Sequence, residues 1–317
     1  MTRPNDCSLD PSQIATVEKH AALLLKEASA LHIFPTPIDR LMAAAKLTVV
    51  DDDFLDEGVL AQFMRTAKSK ITTIKSALSK ILAMIHPGEK IVLIDKATPQ
   101  VRMPFVKLHE AGHGVLPHQK KAYSLMQDSQ ENLDPDITDL FEREANVFAA
   151  EVLFQGRLFA DEAHQSAFGM AVPIELAKKY GASNYSAFRR YVSTSPHACC
   201  LLVLEPVING EGKQFTAEVR RIIPTSTFHM IFDGERFGSA ITEAHILGHV
   251  VPVNRRMTAS RKIKLTDRNG NRRDCTAEAF DAKHQIFVLI RDHGPTSAVI
   301  LPSTRFTVSL RSSSKLK

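Results

Sequence analysis

The sequence predicts an α+β protein, with a mainly helical N-terminal region that carries a small sheet, followed by a β-rich α+β C-terminal domain. Three observations predict it. Apolar residues recur at helical spacing through most of residues 12–192. Two short β-branched runs, Leu47-Thr48-Val49-Val50 and Lys90-Ile91-Val92-Leu93-Ile94-Asp95, interrupt that helical pattern. After residue 197 the periodicity shortens, and most apolar runs become strand-like. The length of 317 residues is enough for about two domains, placed at 1–197 and 198–317.

In chain order, Ile14, Val17, Ala21, Leu24 and Leu25 mark a first helix, which Pro35-Thr36-Pro37 breaks. Ile38, Leu41 and Met42 begin a second. Residues 58–85 are rich in helix formers, with Lys68, Lys70, Lys75 and Lys80 on polar positions, and Gly88 ends that stretch. A helix follows over about Pro104 to Val115. Asp134-Pro135-Asp136 supplies an N-cap, a first-turn proline and acidic charge for the next, which ends at Gly156. A helix, a glycine turn at Gly181 and a second helix fill 173–192. Beyond the boundary, Leu201–Leu204, Phe215–Ile223, Thr227–Phe232, Gln285–Arg291 and Ala298–Leu301 read as strands, and Asn269-Gly270 as a hairpin turn.

Composition excludes some classes. At 44% hydrophobic and 24% charged, the chain can bury a core without metal or disulfide staples. Cys7, Cys199, Cys200 and Cys275 form no C-x-x-C pair, and Cys199-Cys200 reads as strand filler, which fits a reducing compartment. No signal-like or membrane-spanning apolar stretch is visible, so the expectation is a cytoplasmic protein without membrane association. Charge is uneven. Residues 251–317 hold 14 Lys+Arg against 5 Asp+Glu, which gives that end a face for an acidic partner or weak nucleic-acid contact, or simply a solvated surface.

The chemistry is concentrated in His109-Glu110-Ala111-Gly112-His113. Two histidines four apart on a helix share one face and can bind one tetrahedral metal, with Zn2+ as the expected ion. Glu110 points beside that metal and is placed to act as general base. Phe105, Val106, Leu108, Val115 and Leu116 allow the helix to be buried. Such a motif arises by chance in about one chain of this composition in 35, so further ligands decide its meaning. A catalytic site needs a third protein ligand. Phe141-Glu142-Arg143-Glu144-Ala145-Asn146-Val147-Phe148-Ala149-Ala150 offers two carboxylates. Ile137, Leu140, Phe141, Ala145, Phe148, Ala149 and Val152 form an apolar stripe. Glu144 lies on its edge, where an unpaired carboxylate is costly, so Glu144 is the expected ligand. Glu142 lies further round and is second choice.

The H-E-x-x-H helix followed about 30 residues later by E-x-E-A-N-x-F-A resembles the ImmA/IrrE family of metallo-endopeptidases. The helix before Pro35-Thr36-Pro37-Ile38 and the strand ahead of the motif helix fit as well. The resemblance spans roughly residues 12–195. It implies a thermolysin-like zinc site, and a protein substrate of the helix-turn-helix repressor kind. Residues 58–85 form a longer helical insertion than the family pattern, and residues 198–317 match no motif; a sensory or substrate-selecting role is the expectation for them.

Other features carry bland alternatives. Arg189 and Arg190, after Gly181, give the 173–192 pair a helix-turn-helix look, read either as DNA contact or as a hairpin packed on the core. His245 and His249 repeat the four-residue spacing without an adjacent glutamate and read as structural. His118 and Tyr123 stand where an oxyanion donor could come from, or are loop residues. The strand Ile91–Asp95 is an edge for an extended substrate. The rival function is a non-catalytic DNA-binding regulator with a structural or vestigial metal site.

Overall fold

The computed structural model describes residues 8–51, 90–94, 98–122, 134–209, 215–232 and 237–296. The predicted helix over 58–85, Tyr123 and the predicted strand at 298–301 lie outside them. Helix α1 (Pro11–Glu27) opens on a capping box at Asp10 and Gln13 and buries Val17, Ala21, Leu24 and Leu25, the stripe the spacing predicts. Helix α2 (Ile38–Ala44) follows the proline break and buries Leu41 and Met42. Strands β1 (Leu47–Asp51) and β2 (Lys90–Ile94) pair in parallel as a two-stranded sheet. A 3-10 turn at Gln100–Arg102 leads into α3 (Met103–Val115), which has a proline in its first turn. Residues 117–122 are helical again after a break at Leu116.

Helix α4 (Pro135–Leu153) starts at Asp134, whose side chain accepts from the Asp136 amide at 2.8 Å. It packs against both α1 and α3. Gly112 explains how closely α3 and α4 cross. A Cβ there would lie 3.1 Å from Ala145 Cα and 3.3 Å from both Ala145 Cβ and Phe148 Cδ1. The crossing therefore turns on a small residue in the middle of the motif.

Three more helices complete this part: α5 (Leu158–His164), α6 (Ala171–Tyr180) and α7 (Asn184–Ser193). Helix α5 was not expected from the sequence. Helix α6 ends on Gly181 at φ +70°, a left-handed position suited to glycine, and Ser183 caps α7 by accepting from the Ser186 amide. The Pro35-Thr36-Pro37 segment docks at this end of the bundle, where the Thr36 hydroxyl donates to the Leu153 carbonyl at 2.8 Å.

The strands β3 (Cys199–Leu204), β4 (Ile208–Asn209), β5 (Phe215–Pro224), β6 (Ala240–Thr242), β7 (Met257–Thr266), β8 (Arg272–Asp281) and β9 (Ile286–Pro295) form one antiparallel sheet. Its order is β4-β5-β3-β9-β8-β7, with β6 on β5. The molecule is thus α+β. Strand β3 is buried at all six positions because both sheet faces are covered. Cys199, Leu201 and Val203 join the helical core, where Phe188 of α7 stacks on Phe287 at 4.6 Å. Cys200, Leu202 and Leu204 face a second core with Phe228, Phe232 and Val250.

Two differences from the sequence expectation stand out here. Thr227–Phe232 is not a strand. It belongs to a short helix α8 (Ser226–Ile231), because Thr225 caps it by accepting from the Phe228 amide and its aromatics then fall on one side. The long pair β7–β8 was signalled only by its turn, where Asp267 Oδ1 accepts from the Asn269 and Asn271 amides, both at 2.9 Å, and Gly270 sits at φ +86°. No helix among the described residues is long and apolar enough to cross a membrane.

Candidate metal centre

The site forms where α3 crosses α4. His109 and His113 lie one turn apart on α3, with ring centroids 4.9 Å apart and Nε2 atoms 3.2 Å apart. From α4, Glu142 brings Oε2 to 3.2 Å from His109 Nε2 and Oε1 to 3.6 Å from His113 Nε2. The ligand atoms of these three residues all lie within 4.8 Å of one another, and among the described residues they are the one such group.

Glu144, the ligand expected from the sequence, is not brought to the histidine pair. It is buried as predicted, at 4% exposure, but its Oε2 accepts from His118 Nε2 and from Gln119 Nε2, each at 2.6 Å. Glu142, whose side chain is 51% exposed, occupies the third position instead. The reason is helical phase. Ala145 is the crossing point under Gly112. Residues three before and one after it, Glu142 and Asn146, lie four apart on one face and meet the histidines, while Glu144, two residues and about 200° of helical turn from each of them, faces the other way. Burial identified a carboxylate with partners of its own, whereas the histidines meet the more exposed one.

The hydrogen bonds behind the rings set their chemistry. His113 Nδ1 lies 2.7 Å from Gln119 Oε1, and His109 Nδ1 lies 3.2 Å from Asn146 Oδ1. Both partners are amide oxygens, which only accept. Each ring then donates through Nδ1, and its Nε2 is turned into the crossing. Two imidazole lone pairs and a carboxylate facing one another repel unless a cation or a proton lies between them. The titration pattern agrees. Burial lowers the His109 pKa, but the hydrogen bond to Glu142 and the charges of Glu110 and Glu142 outweigh it, for a net rise. Burial and the neighbouring His109 push His113 down. The hydrogen bond to His109 holds the Glu142 carboxyl below its usual range against partial burial. Two nitrogens plus one carboxylate fit a borderline-soft divalent ion.

Glu110 is half-buried beside His109, and its charge acts on both rings without its joining the three ligands. Sequence reasoning missed Gln119 and the role of Asn146. Asn146 was visible at the i+4 position from Glu142. Nothing in the sequence marks Gln119 except its place six residues after His113.

Elsewhere the structure narrows the alternatives. Arg190 forms a two-point ion pair with Glu151 and donates to the Gly156 carbonyl at 2.7 Å, so it is held in the helical core rather than offered to DNA. Arg189 is half-buried. His245 and His249 lie in a turn-rich segment, and His245 Nδ1 accepts from the Leu247 amide at 3.1 Å.

Fold and site together define an α+β protein with a helix-borne candidate metal centre of two histidines and one carboxylate. Residues 64–190 match the model of the IrrE N-terminal-like domain, Peptidase_M78, and over this stretch the chain is similar to that family. No curated protein matches the chain. Among solved structures, one described as a Mycobacterium tuberculosis transcriptional regulator is similar at 15% identity, covering 88% of this chain and 76% of that one with a TM-score of 0.48. A likeness this distant carries no argument about function.

Proposed function

We propose that this protein is a zinc metallo-endopeptidase with His109, His113 and Glu142 as metal ligands and Glu110 as catalytic base. The observation that carries this reading is the convergence of three ligand atoms from two helices, with both imidazoles turned so that Nε2 faces the crossing. The Peptidase_M78 match supports it. The rim position of Glu142 leaves one side of the centre open to solvent, as a site that must admit substrate requires. A structural site would need no uncommitted carboxylate such as Glu110 beside its first ligand.

When bound, zinc would polarise the scissile carbonyl and make a water acidic enough to lose its proton near neutrality. Glu110 takes that proton as general base and delivers it to the departing amine as general acid. The two histidines and Glu142 fix the geometry in which this happens. Gln119 and Asn146 hold the rings, and the close crossing at Gly112 keeps α3 and α4 in register. The thermolysin-like resemblance of the motif supports the same division of roles. The proposed substrate is a cytoplasmic protein of the helix-turn-helix repressor class, following the family resemblance.

Glu110→Gln tests this reading. It keeps the shape and removes the base. Zinc should stay bound at wild-type stoichiometry, while cleavage of a cognate protein, followed by gel or mass spectrometry, should fall by at least about 100-fold. Equal cleavage by the two zinc-loaded proteins would remove Glu110 from the mechanism.

A further inference from the structure

Glu144 is buried, acidic, next to the candidate metal centre, and not one of its ligands. Its partners say what it does. Gln119, with no solvent exposure, donates through Nε2 to Glu144 Oε2 at 2.6 Å and to the Phe141 carbonyl at 3.3 Å, and its Oε1 lies 2.7 Å from His113 Nδ1. The two ends of an amide are nearly the same shape, so hydrogen-bond partners alone decide which end faces which way. A backbone carbonyl accepts only. Glu144 Oε2 takes hydrogen bonds from both His118 and Gln119, so it too is an acceptor. The NH2 of Gln119 must therefore face Glu144 and Phe141, and its oxygen must face His113. That oxygen can only accept, so the His113 proton resides on Nδ1 and its Nε2 lone pair points at His109 and Glu142. If the amide turned over, its NH2 would face Nδ1, and the ring proton would move to Nε2, where it blocks a metal bond.

We infer that Glu144 and Gln119 are positioning residues which lock His113 in its metal-binding tautomer through a carboxylate–amide–imidazole chain. The inference rests on the metal-site reading above. It deepens it by giving the expected third ligand a different task. A hydrogen-bond partner of a metal-binding histidine, as Gln119 is to His113, typically contributes 10–100-fold in affinity, and Glu144 acts through that partner. The His109 side has a looser counterpart, Asn146 Oδ1 at 3.2 Å, on a half-buried residue. The chain from Glu144 is the more tightly built of the two.

The test reads metal affinity, not proteolysis. Zinc(II) is titrated against a competing chelator into the full chain for wild type, Gln119→Leu, Glu144→Gln and the double variant Gln119→Glu with Glu144→Gln. Melting of the metal-free proteins checks that each one folds. Both single variants should weaken zinc by roughly 10–100-fold. The double variant exchanges carboxylate and amide along the chain. The new carboxylate at 119 accepts from His113 Nδ1 and from the new amide at 144, so most of the lost affinity should return. Cobalt(II) at saturation supplies a second readout. Its visible bands should keep their wild-type positions in Glu144→Gln and change in Glu142→Gln. Wild-type affinity in both single variants would overturn the inference, as would a folded double variant with no recovery. Cobalt bands that move in Glu144→Gln would make Glu144 a direct ligand and overturn it too. A wild-type chain that binds no zinc would take down the metal-site reading itself, an outcome separate from all of these.

Discussion

His109 and His113 sit four residues apart on α3 with their Nε2 atoms 3.2 Å apart, while His245 and His249 have the same spacing between β6 and β7 and form no such pair. The first pair has a helix to align it, a second helix to supply Glu142, and an amide oxygen behind each ring. The second has turns, and His245 spends Nδ1 on the Leu247 amide. Spacing therefore has chemical meaning only where the backbone is helical and the outer partners point both nitrogens inward. The contrast extends to the two regions around them. In the sheet, charged groups find partners close by. Arg273 holds Asp292 with two hydrogen bonds, and Asp267 closes its own turn. At the α3–α4 crossing they converge on one another as a candidate metal centre.

The largest effect should break that contrast outright if it is wrong. His109→Ala or His113→Ala should each abolish stoichiometric zinc, whereas His245→Ala and His249→Ala should retain about one zinc per chain, as expected for one site with three protein ligands. Metal analysis of the four purified proteins decides it. Zinc retained in the first two, or lost in the last two, would put the ion in the wrong region.

Much of this was legible in the sequence, and the part that was not has a specific cause. The motif, the phase of α1, the cap at Asp134 and the turn at Gly181 are local signals, and local signals survive without a structure. Glu142 against Glu144 is not local. Choosing between them requires knowing that Gly112 meets Ala145, a contact between residues 33 positions apart. The sequence argument used burial as its guide. It found the buried carboxylate correctly, but buried carboxylates are satisfied by any good partner, here His118 and Gln119. The error at Thr227–Phe232 is of another kind. Apolar and β-branched content outweighed Thr225 as an N-cap, although that signal was present in the sequence.

A middle-sized effect sharpens the contrast within the helical region. Arg190 and Glu151 are charged and largely enclosed, yet they pair with each other and Arg190 also donates to the Gly156 carbonyl. Arg190→Ala would leave the Glu151 carboxylate, at 8% exposure, without its partner. The expected cost is about 3–5 kcal/mol of unfolding free energy, the range for breaking one side of a buried pair, measured by urea denaturation. A loss under about 1 kcal/mol would mean that the arginine is solvated, and would reopen its reading as a DNA contact.

The smallest effect concerns the sheet's own soft donors. Cys199, Cys200 and Cys275 are buried and unpaired, and thiolates there would compete for zinc. Burial, against a weak opposing hydrogen bond from Ser195, pushes the Cys199 thiol up to about 11. Burial and the Asp292 carboxylate push Cys275 to about 12, and burial together with Cys199 raises Cys200 as well. The sign follows directly. A raised pKa keeps the thiol protonated and unreactive through pH 8, because the thiolate is both the nucleophile and the ligand. In a Cys7→Ser background, a maleimide reagent at pH 8 should leave all three unmodified in the folded protein and modify all three in urea, as counted by intact mass. The result should be the same with and without zinc. If any of the three is labelled rapidly in the folded protein, the sheet opens on that timescale and exposes metal donors of its own. Zinc stoichiometry alone would then no longer separate the two histidine pairs.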